Sequence, residues 1–91
     1  MKAKPIKAPT IVVKKIPLDE NGQKILGYCY TGENYIEVER DQPDKEFLST
    51  LIHEILHHLS PAYGEQKIIQ MEKIMAEAIW RKGYRSKRRK R

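Results

Sequence analysis

Phe47-Leu48-Ser49-Thr50-Leu51-Ile52-His53-Glu54-Ile55-Leu56-His57-His58-Leu59 decides how the rest of the chain is read. Its apolar residues, Phe47, Leu48, Leu51, Ile52, Ile55, Leu56 and Leu59, recur at the spacing of a helix with one buried stripe. Asp41-Gln42-Pro43-Asp44 supplies the early proline and acidic residues suited to a first turn, and Pro61 closes the segment. A helix is therefore predicted from Pro43 to Leu59. On it, His53 and His57 stand one turn apart on one face and can grip a single cation. Glu54, directly after the first histidine, completes an H-E-x-x-H pattern and projects beside them as an acid–base group. His58 points about 100° away from His57 and is expected to stand aside.

Upstream, Thr10 to Ile16 is β-branched and reads as a first strand halted by Pro17. Lys24 to Tyr30 reads as a second strand and Tyr35 to Glu39 as an alternating third. Asn21-Gly22 and Thr31-Gly32-Glu33-Asn34 mark turns between them. Downstream, a second helix is expected from about Glu65 to Lys82, with Ile68, Met71, Ile74, Met75, Ala78 and Ile79 as its apolar positions and Gly83 as its stop. The layout is an α+β domain: a small three-stranded sheet, antiparallel or mixed, packed on a two-helix hairpin. It spans residues 1–85, with a basic tail at 86–91.

A catalytic zinc commonly takes three protein ligands, so the two histidines need a third. At 1.5 Å per residue, Glu72 on the returning helix comes about level with His53, while Glu65 opens that helix near the end of the first. Glu72 also interrupts the line Ile68, Met75, Ile79, where a lone carboxylate is costly to bury without a charged partner. Glu72 is the expected third ligand and Glu65 the reserve; Glu77 is rotated away from that line. Mixed imidazole and carboxylate ligation suits Zn2+.

Composition bounds the rest. The chain has 91 residues, 40% hydrophobic and 33% charged, enough for one small domain. No apolar run reaches the length of a membrane span, and no hydrophobic segment follows the first lysines, so neither membrane insertion nor a secretory signal is expected. The single cysteine, Cys29, excludes an internal disulfide and fits a reducing cytoplasm. The net charge of +6 is concentrated at the C-terminal end, where eight of the last eleven residues are Lys or Arg. Such an end suits nucleic-acid phosphates, and equally a solvated tail that aids solubility.

The stretch from Thr50 to Leu59, with Tyr63-Gly64 and Met71-Glu72-Lys73-Ile74, resembles the minimal gluzincins, small zincin-like metallopeptidase proteins of phages, prophages and bacteria. The similarity runs roughly from Gly27 to Trp80. It implies a sheet on the H-E-x-x-H helix, zinc held by His53, His57 and Glu72, and Glu54 as general base for peptide hydrolysis. It also implies that an edge strand beside the helix, here Tyr35 to Val38, receives a protein or peptide substrate as an added strand. Tyr63 and Tyr84 are candidate oxyanion donors as well as packing aromatics, and Trp80 reads as a core anchor. Two further readings stand beside a peptidase: a catalytically inert zinc-binding domain with a regulatory role, and a nucleic-acid-binding protein acting through the tail. Oligomeric state is not legible.

Overall fold

A computed structural model describes residues 7–30 and 32–87 of the chain. The elements are β1 (Thr10–Lys14), β2 (Gly27–Tyr30), β3 (Tyr35–Glu39), α1 (Asp44–Leu59) and α2 (Glu65–Arg81). Both helices and β3 lie where the sequence predicts them. β1 and β2 are shorter than expected: β1 ends before Ile16, and β2 begins three residues after Lys24.

The sheet is mixed, in the order β1-β3-β2, with β1 parallel and β2 antiparallel to β3. The strand next to β1 is therefore β3 and not β2. Asn21-Gly22 does form a turn, with Gly22 at φ 77°. That turn closes on itself: Gly22 N–H donates to the Asp19 carbonyl, and Asp19 Oδ1 accepts from the N–H groups of Asn21 and Gln23, all at 2.8–2.9 Å. It shapes the loop of residues 15–26, which carries the chain past the end of β3, and does not join two paired strands. Gly32 and Asn34, at φ 85° and 56°, make the second turn, a true hairpin between β2 and β3.

Glu39 ties down that crossing. Its buried carboxylate accepts the N–H of Ile16 and the N–H of Asp41, each at 2.8 Å. The Gln42 side-chain amide donates a hydrogen bond of 2.9 Å to the Glu39 carbonyl. Ile16 leaves the sheet here because its backbone donor is taken by this side chain.

α1 is the middle layer. One side of it sets Phe47, Leu51 and Ile55 against Ile36, Val38 and Cys29 of the sheet. The other sets Leu48, Ile52 and Leu56 against Ile68, Met71, Ala76 and Ile79 of α2. Ile36, Val38 and Ile68 are wholly buried, each contributing roughly 1.5–3 kcal/mol by leaving water. The expected α2 stripe needs one correction. Ile74 is 72% and Met75 42% exposed, Ala78 is exposed too, and the inward position is Ala76. A small residue there lets the helices approach closely. α1 is capped by Ser60 before Pro61, and α2 by Lys82 before Gly83, whose φ is 87°.

Candidate metal centre

α1 presents His53 and His57 toward the first residue of α2. His53 Nε2 and His57 Nε2 are 3.2 Å apart, and Glu65 Oε1 lies 2.7 Å from the first and 3.3 Å from the second. Four ligands placed tetrahedrally at roughly 2.0–2.1 Å from Zn2+ stand about 3.3 Å from one another, so this triangle is close to the size such an ion sets. The donor set fits as well. Two imidazole nitrogens and a carboxylate oxygen are a donor set that could hold a divalent cation. Among the described residues, His53, His57 and Glu65 are the group whose ligand atoms converge in this way.

Glu72, the expected third ligand, meets the other side of the ring. Its Oε1 is 3.1 Å from His53 Nδ1 and takes no place in the triangle. It stands level with His53, as the helical rise implied. A cation shared with His57, however, has to lie between the two histidines, nearer the end of α1, where α2 begins with Glu65. A carboxylate on the second nitrogen fixes which nitrogen of His53 carries the proton and so turns the other outward.

Glu54 lies beside the histidines and points under the sheet at Gly27. It is 9% exposed, and its carboxylate makes no hydrogen bond among the described residues. Burial pushes its carboxyl above the usual carboxylate range; His53 and His57 pull the other way, and Glu65 adds to the rise. Gly27 is what admits it. A Cβ there would meet Thr50 Cγ2 at 2.8 Å and Glu54 Cγ at 3.0 Å. A glycine inside a strand is the sequence signal for such a close approach, and it was not used in locating the site.

Two cavities meet at Gly27, His53 and Glu54. One, about 380 Å³, extends past Leu26, Glu46, Thr50 and Glu72. The other, about 320 Å³, extends past Tyr28, Cys29, His57, Pro61 and Glu65. β2 borders both, and it is the edge strand on this side of the sheet. The segment Tyr35 to Val38, expected to receive substrate, is the central strand, hydrogen-bonded on both edges, and has no free edge to offer.

The remaining candidates are dispersed. His58 Nε2 is 3.1 Å from the Lys7 carbonyl, away from the centre. Tyr63 carries Lys67 over its ring and lines neither cavity. Trp80 and Tyr84 border a separate groove with Phe47, Leu48 and Leu51, where Arg85 stacks on Trp80 at 3.4 Å. Cys29 lines the second cavity as a thiol that burial, and then the charge of Glu54, pushes up. Of the basic end, Arg81 pairs with Glu77 at 2.8 Å, and residues 88–91 lie outside the described residues. No helix among the described residues is long and apolar enough to cross a membrane. A scan against protein-family models and searches of curated proteins and of solved structures found no match.

Proposed function

We propose that this protein is a zinc-dependent, zincin-like metallopeptidase, with His53, His57 and Glu65 as the metal ligands. The observation that carries this reading is the convergence of two Nε2 atoms and one carboxylate oxygen within 3.3 Å, beside a buried carboxylate with no hydrogen-bond partner among the described residues. When bound, zinc polarises a carbonyl oxygen and makes water a competent nucleophile near neutral pH.

Glu54 is the general base. Its raised carboxyl accepts a proton from the attacking water and returns it to the leaving amine, a role typically worth about 10²–10⁴-fold in rate. Glu72 orients His53 through Nδ1 and keeps Nε2 free to ligate. β2, from Gly27 to Tyr30, receives the peptide along its open edge, so that main-chain hydrogen bonds hold it over both cavities. The single thiol supports a cytoplasmic setting.

The test pairs metal analysis with cleavage of unfolded protein and peptide libraries. Glu54→Gln is expected to keep one equivalent of zinc and lose hydrolysis. His53→Ala and His57→Ala are expected to lose both. A wild-type protein that holds zinc yet cleaves nothing, under conditions where a known peptidase is active, contradicts catalysis and is the outcome expected of a zinc-binding scaffold. Wild-type zinc content in His57→Ala contradicts the ligand assignment.

A further inference from the structure

Positive charge in this chain is segregated. Of 18 Lys and Arg, eight stand in the last eleven residues with no acidic residue among them; the other ten share the first eighty with all 12 Asp and Glu. Trp80 and Tyr84 lie at the head of that basic stretch, and the structure builds them into one surface at the end of α2. The Arg85 guanidinium lies 3.4 Å over the Trp80 ring, and its Nη1 donates to the carbonyls of Trp80 and Tyr84 at 3.0 and 2.9 Å. Held by a ring on one face and by carbonyls along one edge, the guanidinium is a fixed plate. Arg85 is exposed, and its remaining N–H groups have no partner among the described residues. Tyr84, 70% exposed, stands next to it. Lys82 and Lys87 are exposed, and their side chains make no ion pair or hydrogen bond among the described residues. Glu77, the nearest acidic residue along the chain, is already paired with Arg81 at 2.8 Å and with Lys45 at 3.2 Å.

We infer that this surface binds single-stranded nucleic acid, with unpaired bases stacked on Tyr84 and on the outer face of Arg85, and phosphates along Lys82, Lys87 and the basic residues that follow in sequence. A planar cation fixed on an aromatic ring, beside an exposed tyrosine, gives successive bases a stacking platform that is indifferent to their identity. The two ammonium groups answer the phosphates. Charge alone suits any polyanion; the aromatic pair selects one that carries flat rings. A duplex fits less well, because its base faces are covered and residues 82–87 form no helix or strand to enter a groove. An anionic bilayer fits less well too, since that stretch is not an amphipathic helix. The surface lies at the other end of α2 from Glu65, about 24 Å along the axis at 1.5 Å per residue, so the inference is independent of the peptidase reading.

Trp80 is the single tryptophan of the chain, so its fluorescence reports on the surface directly. With the full chain, oligo(dT) and oligo(U) are expected to change that emission on binding, and inorganic polyphosphate, which has charge but no rings, to bind about tenfold more weakly. Tyr84→Leu is expected to weaken the strands about tenfold and to leave the salt dependence as it was. Arg85→Lys keeps the charge, loses the plane, and is expected to weaken them about fivefold. Lys82→Gln and Lys87→Gln are each expected to lower the slope of log affinity against log salt by about 0.7. Thermal unfolding is expected to be unchanged in the Tyr84 and lysine variants, which separates lost binding from lost folding. Polyphosphate or a DNA duplex binding as tightly as the single strands, wild-type affinity in both Tyr84→Leu and Arg85→Lys, or binding to phosphatidylserine vesicles in place of the strands overturns the inference. Binding of either strand in the expected pattern supports it, and the tighter of the two names the source as DNA or RNA.

Discussion

Glu39 and Glu54 are buried carboxylates of the same small domain, and their surroundings are opposite. Burial raises both, but around Glu39 the N–H groups of Asp41 and Ile16, with Lys15 nearby, outweigh it and hold the carboxyl below the usual range. Glu54 has no such donors among the described residues, and its carboxyl stays raised. The chain satisfies the carboxylate that fixes its topology and leaves unsatisfied the one that can act on a ligand. Unsatisfied polar groups are tolerated where function needs them and are costly everywhere else.

The sharpest way to break the comparison is to remove each carboxylate. Glu39→Ala strips the acceptor from the buried N–H of Ile16 and the part-buried N–H of Asp41 and is expected to cost about 2–6 kcal/mol in urea unfolding, at about 1–3 kcal/mol for each orphan. In a domain this small, that is a large share of the whole stability. Gly27→Ala comes next. Its new methyl meets Thr50 and Glu54 too closely, for about 1–3 kcal/mol, and is expected to displace Glu54 and reduce turnover more than zinc binding.

Acidity separates the two residues by sign. Glu39, lowered in the folded state, contributes stability that is present above the ordinary carboxylate pKa and is lost as pH falls through its own lower value. Glu54, raised in the folded state, detracts from stability once ionised and does not below the ordinary value. Metal-free Glu54→Gln is therefore expected to be more stable than wild type at pH 7, with the gain fading as the pH is lowered past the carboxylate range. Thermal unfolding across pH 3–8 measures it; a Glu54→Gln variant that is less stable at pH 7 would contradict the contrast. The smallest effect belongs to Ile74→Ser, on the open face of α2, expected within about 0.5 kcal/mol of wild type although periodicity assigned it to the core.

How far the sequence could be read follows from which interactions are local. α1, α2 and β3 were legible because their apolar periods and end signals are written within a few residues. The order of the strands was not, because it depends on Glu39 reaching Ile16 across 23 residues, a bond no local pattern announces. Asn21-Gly22 was legible as a turn, but not which strands lie on either side of it in the sheet. At the centre, His53, Glu54 and His57 come together as their spacing implied. Glu65 and Glu72 are seven residues apart on one face of α2, and the helical rise alone fixes only which histidine each one meets. Which nitrogen it meets decides the role, and that is a matter of ring orientation.

Cobalt substitution tests the central assignment most directly. One equivalent of Co2+ is expected to bind the wild-type chain with the visible bands of a four-coordinate ion. Glu65→Gln is expected to change those bands, whereas Glu72→Gln keeps their positions and weakens affinity about 10–100-fold, as loss of a group that orients a ligand does. Altered bands in Glu72→Gln with an unchanged Glu65→Gln spectrum, or no stoichiometric binding by the wild type, would contradict it.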